Sequence, residues 1–179
     1  MQPPERCLIL IDGSNFYYKL KDLQLHRLLS FDFIAFTKQL AQANTIVAAT
    51  YYIGKVRSDG TPKTERLLAD QQRLFAHLRR QQVRYSLGYL LRSEGVMHEK
   101  GVDVNMAVDM LVATYEDRCD RLIVVSSDTD LIPAIKQAQA KGKIVEYVGF
   151  SHKRSMGLLA VCHDARLLKR EDLAPLLAA

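Results

Sequence analysis

Aspartates follow directly on two apolar segments of this sequence, at positions where a strand would end. Asp12 closes the apolar run of "LILIDGSNF", and Asp128 and Asp130 close "VVSSDTD". Grouped carboxylates repel one another and resist desolvation, so they require either protons or a cation. Oxygen ligands of this kind suit Mg²⁺ or Mn²⁺, which keep several waters and can bridge to a substrate phosphate. Taken singly, each aspartate is more typical of a helix cap.

A third segment, "EKGVDVNMAVDML", adds further acids to this set. Asp103 follows a glycine at the predicted start of a helix, whereas Asp109 lies six residues later and about 120° around the same helix. We therefore predict that Asp103 is a metal ligand and that Asp109 makes a supporting contact. Asn15, three residues after Asp12, is predicted either to cap the first helix or to orient a metal-bound water, and both interpretations stay open.

The elements that must position these residues follow from hydrophobic periodicity. Short segments rich in Val, Ile, Leu and Tyr predict about five buried strands, with amphipathic helices between them. This alternation indicates an α/β fold, a Rossmann-like three-layer sandwich with a mostly parallel central sheet flanked by helices. The expected strand order is 3-2-1-4-5, which places Asp12 and Asp128 side by side at a crevice. The predicted strands cover residues 7–11, 45–53, 83–91, 121–126 and 143–150.

Composition predicts a single soluble domain spanning residues 1–179, in which 48% of the residues are apolar. No apolar run approaches the roughly 18 residues that would suggest a membrane span. The first residues lack the layout of a secretory signal, so we expect a cytoplasmic protein. The formal net charge of +5 permits a polyanionic partner. The three cysteines lack the spacing of a metal site and are predicted to be reduced thiols.

Three motifs carry a resemblance to a known family: "LILIDGSNFYY", "KGVDVNMAVDML" and "LIVVSSDTDLIPAIKQAQAKGKIVEYVG". In this order and spacing they resemble the NYN domain, specifically its LabA-like branch within the PIN-like nuclease superfamily, over about residues 7–172. The resemblance implies an acidic pocket that binds a divalent cation, and an endoribonuclease activity. The site residues that it implies are Asp12, Asn15, Asp103, Asp128 and Asp130, with Asp109 as a recurrent supporting aspartate.

The chemistry expected of such a pocket is metal-dependent hydrolysis of RNA phosphodiester bonds. Mg²⁺ or Mn²⁺ would be held chiefly by Asp12, Asp103 and Asp128, and would polarise the phosphate and lower the pKa of a bound water. Asp130 would bind the metal through water or orient the nucleophile. Asn15 would donate a hydrogen bond to a metal-bound water or to a phosphate oxygen.

Basic loops at the same sheet edge are predicted to bind the backbone of the RNA, which is expected to be single-stranded. Charged loops are equally common as plain solvated surface. Tyr17, Tyr18 and Tyr52 could stack on unpaired bases, although packing is the commoner role for each. The predicted substrate-binding residues are Lys55, Arg57, Arg92, Lys100, Lys153 and Arg154.

Two other functions stay open. A non-catalytic RNA-binding or adaptor module would keep the fold with a structural acid cluster, although burying carboxylates without a cation is costly. A phosphotransfer or phosphatase domain of haloacid-dehalogenase type would place D-x-D after the first strand, where this sequence reads "DGSN". The sequence has no Walker A loop and no G-x-G-x-x-G motif, so no nucleotide-cofactor site is predicted. Exposed helices could also pair in a homodimer.

Overall fold

The strands form one sheet in the middle of the fold. The computed structural model describes residues 3–93 and 96–177, apart from the side chains of residues 90–99. The strands within these residues are β1 (Arg6–Asp12), β2 (Thr45–Lys55), β3 (Arg84–Ser93), β4 (Val96–Lys100), β5 (Arg121–Val125), β6 (Ile144–Phe150) and β7 (Asp164–Leu168). Their spatial order is β4-β3-β2-β1-β5-β6-β7.

The predicted strand order is confirmed. β3, β2, β1, β5 and β6 are neighbours in that sequence, and all of them pair in parallel. The sheet is wider than predicted, because β4 pairs antiparallel with β3 and β7 pairs parallel with β6. Both added strands are short and rich in polar residues, so they lack the apolar run that identifies the central strands. Arg92 and Lys100 therefore belong to β3 and β4 rather than to the predicted loop.

Helices cover both faces of the sheet. They are α1 (Gly13–Asp22), α2 (Phe33–Ala41), α3 (Pro62–Arg80), α4 (Val102–Tyr115), α5 (Ile132–Ala140), α6 (Met156–Val161) and α7 (Arg170–Leu173). Phe16, Phe36 and Leu78 belong to the core on the face of α1, α2 and α3. Met106 and Ile135 belong to the core on the face of α4, α5 and α6. The three-layer α/β architecture is thus confirmed, and none of the described helices is long and apolar enough to cross a membrane.

β1 and β5 form the switch point of the sheet. The chain leaves β1 into α1 on one face, and it leaves β5 through a 3₁₀ turn (Thr129–Leu131) into α5 on the other face. Ile11 pairs with Val125 in the β1–β5 ladder. The two strands therefore end side by side, and a crevice opens where their connections diverge.

Gly13 permits the tight passage from β1 into α1. A Cβ added at Gly13 would lie 2.3 Å from Cε1 of Tyr51 and 2.6 Å from the carbonyl oxygen of Tyr52. The Tyr51 hydroxyl donates a hydrogen bond to the Gly13 carbonyl at 3.0 Å. α1 consequently begins in direct contact with β2, which fixes the position of the residue before it, Asp12.

The opposite edge of the sheet is held by ion pairs. Arg6 on β1 donates to the Asp120 carboxylate from its backbone N–H at 2.8 Å and from its guanidinium at 2.8 and 3.0 Å. These hydrogen bonds lower the pKa of Asp120 from an ordinary 3.8 to about 2. Arg121 on β5 contacts Glu146 on β6 and Asp164 on β7. The amino ends of four strands are therefore linked by charge.

We predict that Asp120→Asn destabilises the protein at neutral pH and that this loss disappears in acid. The pKa of Asp120 in the folded state lies below its ordinary value. Its stabilising effect is therefore present above about pH 4 and is lost as the pH falls toward about 2. Urea unfolding between about pH 7 and pH 2 measures the free energy of unfolding of the parent and the variant. The difference between the two values should shrink as the pH falls from about 4 to about 2.

A matched control breaks an ion pair that lies on an exposed helix surface. Arg73→Gln removes the contact of Arg73 with Asp70, and it should change the free energy of unfolding little at any pH. A difference in the free energy of unfolding between the parent and Asp120→Asn that stays constant down to about pH 2 would contradict the prediction.

Candidate active site at the carboxyl edge of the sheet

A single hydroxyl joins the two strand ends at the crevice. Ser126, the first residue after β5, is buried, and its Oγ donates to Oδ2 of Asp12 at 2.9 Å. The same Oγ accepts the backbone N–H of Asp128 at 3.1 Å. We call these two contacts the Ser126 bridge. They bring Asp12 and Asp128 together, as the strand order predicts. Nothing in the sequence pattern reveals this role of Ser126, because it depends on the register between two strands distant in the chain.

Asp12 also caps α1. Its Oδ1 accepts the backbone N–H of Asn15 at 3.0 Å, so the interpretation of Asp12 as a helix cap is confirmed. The alternative that Asn15 is the cap is wrong, because Asn15 lies within the first turn of α1 and is itself the capped residue. Capping a helix and binding a cation are not exclusive, because a carboxylate offers about four acceptor positions.

Asp128 and Asp130 share a tight turn after β5. Oδ1 of Asp128 accepts the backbone N–H of Asp130 at 2.9 Å, which caps the 3₁₀ turn that follows. Asp128 is half-buried next to the Ser126 bridge, whereas Asp130 is exposed at the rim of the crevice. The two aspartates of the S-x-D-x-D motif therefore occupy different environments.

Asp103 lies in the first turn of α4, which begins at the same edge of the sheet. Across the sheet, Asp12 is level with Ser86 on β3, and Gly88 follows two residues later. A Cβ at Gly88 would lie 2.6 Å from Cγ2 of Val102, so α4 begins directly against β3. Asn105 donates to a β3 carbonyl at 3.2 Å. Asp103 is about 200° around the helix from Asn105, and it therefore lies on the flank away from β3.

Asp109 makes the supporting contact predicted for it. The hydroxyl of Tyr52, which is buried on β2, donates to Oδ2 of Asp109 at 2.7 Å. Burial and then the hydrogen bond to Asp109 raise the pKa of Tyr52 far above its ordinary value. Because Tyr52 pairs with Asp12 across the β1–β2 ladder, this contact ties α4 to the strand level of the candidate site. Tyr52 is thus a packing residue and is not available for base stacking.

The carboxylates at this edge are oxygen donors of the type that binds a divalent cation. Among the residues that the structure describes, no group of three or more His, Cys, Asp or Glu side chains is placed to hold a metal ion. The predicted ligands Asp12, Asp103, Asp128 and Asp130 are therefore not drawn into one preformed cage. Mg²⁺ is commonly bound by one or two carboxylates together with waters and substrate phosphate. The Asp12–Asp128 pair supplies oxygen ligands of that type.

The predicted basic residues divide by their surroundings. Lys55 is exposed at the end of β2 and Arg57 just after it, Lys100 is exposed at the end of β4, and Arg154 is exposed after β6. The side chain of Arg92 lies outside the described residues. The exposed four surround the carboxyl edge from both sides of β1, where a polyanion would contact them.

Lys153 has a structural partner that the sequence does not reveal. Its Nζ lies 2.8 Å from Oδ2 of Asp22 at the end of α1, and His152 lies 3.5 Å from the same oxygen. The hydrogen bond from Lys153, and then its charge, lower the pKa of Asp22. Lys153 therefore joins the loop after β6 to α1, and its charge is largely balanced.

Comparison with known proteins agrees with this geometry. The NYN domain model matches residues 6–168, which run from the first residue of β1 to the last of β7. The chain belongs to the NYN domain family. This family has a PIN-like nuclease fold, in agreement with the resemblance seen in the motifs.

A solved structure supports the fold of this NYN domain. This chain is similar to the crystal structure of a protein of unknown function from Vibrio parahaemolyticus RIMD 2210633, with a TM-score of 0.71 and 24% sequence identity. The match covers 97% of this chain and 99% of the other. A search of curated proteins gave no match. At this identity the structural similarity establishes the fold alone.

We predict that Ser126→Ala destabilises the NYN domain by about 1–3 kcal/mol, because it removes a donor to Asp12 and an acceptor for the Asp128 amide. Ser127→Ala is the matched control, because its hydroxyl lies 3.5 Å from the nearest described partner, the hydroxyl of Tyr147. Urea unfolding should separate the two variants. Equal and small losses would show that the Ser126 bridge contributes little.

Proposed function

We propose that this NYN domain is a metal-dependent ribonuclease that hydrolyses phosphodiester bonds of single-stranded RNA. The observation that carries the proposal is the Ser126 bridge, which holds Asp12 and Asp128 together at the switch point of the sheet. Exposed cations at and just after the end of β2, on the same edge of the sheet, suit a phosphate backbone. The NYN membership supports the same class of reaction.

The carboxylates of Asp12 and Asp128 would hold Mg²⁺ or Mn²⁺. When bound, such a cation neutralises charge on the scissile phosphate and lowers the pKa of water. Ser126 and the backbone N–H groups orient the two carboxylates before the cation arrives. Asp103 and Asp130, at the same edge, would complete the acidic set from the rim.

Other residues would position the RNA. The Asn15 amide, in the first turn of α1, would donate a hydrogen bond to a phosphate oxygen. Lys55 and Arg57 would pair with phosphates on either side of the scissile bond. Tyr52 and Asp109 would contribute without contacting the RNA, because their hydrogen bond holds α4 against β2.

A second candidate function is a non-catalytic RNA-binding module. It is favoured by one observation, that the described residues contain no group of three or more potential metal ligands. Such a module would bind RNA through the same basic rim without cleaving it. The homodimer expected from exposed helices likewise stays a prediction.

We predict that Asp12→Asn and Asp128→Asn each lower RNA cleavage by at least about a hundredfold, because each removes a charge that holds the cation. Asparagine caps as well as aspartate, so both variants should keep the fold. Cleavage of labelled single-stranded RNA with Mg²⁺ is the measurement. Glu116→Gln, an exposed acid at the far end of α4, is the matched control and should keep parent activity.

The outcomes separate the two candidate functions. Cleavage that survives both substitutions would exclude a metal site at this pair. RNA binding by the parent protein without any cleavage would favour the non-catalytic module. Calorimetry with Mg²⁺ alone should show binding by the parent and weaker binding by both variants.

We predict that Lys55→Gln reduces the salt dependence of RNA binding, whereas Lys153→Gln changes it little. For single strands the slope of log affinity against log salt concentration becomes shallower by about 0.7 for each phosphate that the protein no longer neutralises. Lys153 is already paired with Asp22, so it has little charge to offer. Anisotropy titrations over a range of salt concentrations test the contrast, and equal slopes for the two variants would contradict it.

A further inference from the structure

A cleft lies beside the candidate active site, between α1 and α3. Its volume is ≈ 660 Å³, within the range of sites that bind small organic groups. Gly13 and Ser14 form part of its lining, and they directly follow Asp12 in the chain. One end of the cleft is therefore formed by the residues that directly follow Asp12.

Aromatic rings line one side of the cleft. Tyr17 meets Tyr18 with ring centroids 5.5 Å apart and meets His26 at 5.9 Å, and both contacts are edge-to-face. An edge-to-face contact places the edge of one ring against one face of the other, so it leaves at least one face of each ring open. The contrast is the pair Phe75 and Tyr85, which lie 4.1 Å apart and stacked, so that each covers a face of the other. Tyr18 is 62% exposed, and its ring is accessible to a ligand.

The other side of the cleft is an uncovered apolar surface. Leu67 continues the apolar stripe of α3 and is predicted from periodicity to lie in the core. Leu74, Phe75 and Leu78 of the same stripe are buried, but Leu67 is 48% exposed and lines the cleft. Leu29 lines it as well and is 47% exposed. An exposed apolar surface inside a concave site is typical of a ligand-binding position.

The exposed side chains at the mouth of the cleft are positively charged, which favours a ligand that carries negative charge. Val56 lines the cleft, and its neighbours in the chain are the exposed cations Lys55 and Arg57. Arg27 is exposed on the lining, whereas the one acid there, Asp70, is paired with Arg73 at 3.2 Å. A ligand with a flat apolar body would pack against the apolar lining of the cleft, and an anionic end would pair with the cations at its mouth.

We propose that this cleft binds an unpaired nucleobase of the RNA, next to the phosphate that is cleaved. This inference rests on the proposed function, because it uses the same substrate. The base inserts between the Tyr18 ring and the apolar surface of Leu67, and its phosphate stays with Lys55 and Arg57. Duplex RNA is disfavoured, because a paired base must give up its pairing and stacking to enter the cleft.

Fluorescence of a base analogue tests the cleft independently of cleavage. A short single-stranded RNA carrying 2-aminopurine at one position is titrated in EDTA beside the same RNA with an abasic site there. The parent protein should quench the fluorophore and bind the base-containing RNA about tenfold more tightly, as expected for one stacked base. Tyr18→Leu should lose both effects, and Tyr18→Trp should keep them.

Matched controls and opposite outcomes make the test decisive. Tyr115→Leu changes a tyrosine of similar exposure on the other face of the sheet, and it should leave quenching and affinity unchanged. Equal affinity for the abasic RNA, or quenching that survives Tyr18→Leu, would overturn the assignment and leave a peptide segment as the alternative occupant. If either result were found while RNA cleavage is still lost in Asp12→Asn, the cleft would not be a base-binding site and the proposed nuclease function would stand. Quenching without cleavage would support the cleft and reject the nuclease.

Discussion

The contact on which the candidate site depends is the hydrogen bond from the Ser126 hydroxyl to the Asp12 carboxylate. It forms because β1 and β5 are direct neighbours, with Ile11 paired to Val125 one position earlier. A slip of one residue in this ladder would turn Ser126 toward the other face of the sheet and break its hydrogen bond to Asp12. The register of two central strands therefore determines whether the acids meet, and the ion pairs of Arg6 with Asp120 and of Arg121 with Glu5 help to hold that register.

β2 adds the second constraint, on the other side of β1. Tyr51 and Tyr52 are adjacent, so their side chains point to opposite faces of the sheet. Tyr51 donates to the carbonyl of Gly13 at the start of α1, and Tyr52 donates to Asp109 on α4. Two consecutive residues thus tie a helix from each layer to one strand end. The site is positioned from both faces, although its charged side chains come from loops and helix starts.

Sequence alone predicts the architecture well, because continuous apolar runs identify buried parallel strands and their order brings Asp12 beside Asp128. It fails where the outcome depends on distant surroundings. Lys153 has the sequence context of an ordinary basic loop, and only the fold places Asp22 beside it. Leu67 fits the apolar stripe of its helix, yet periodicity cannot show that its side chain stays half exposed in the described part of the fold. Ser126 is a further case, because a hydroxyl after a strand acquires its role only from the partner strand.

The central carboxylates at the two edges of the sheet have different hydrogen-bond donors. At the amino edge, carboxylates such as Asp120 and Glu146 are balanced by arginine, which is the arrangement of a stabilising network. At the carboxyl edge, Asp12 accepts from a hydroxyl and a backbone amide, and Asp128 accepts from a backbone amide. Neutral donors orient a carboxylate but do not cancel its charge. In the proposed nuclease, Asp12 and Asp128 would bind a cation, and a phosphate backbone held by the surrounding lysine and arginine residues would share that cation.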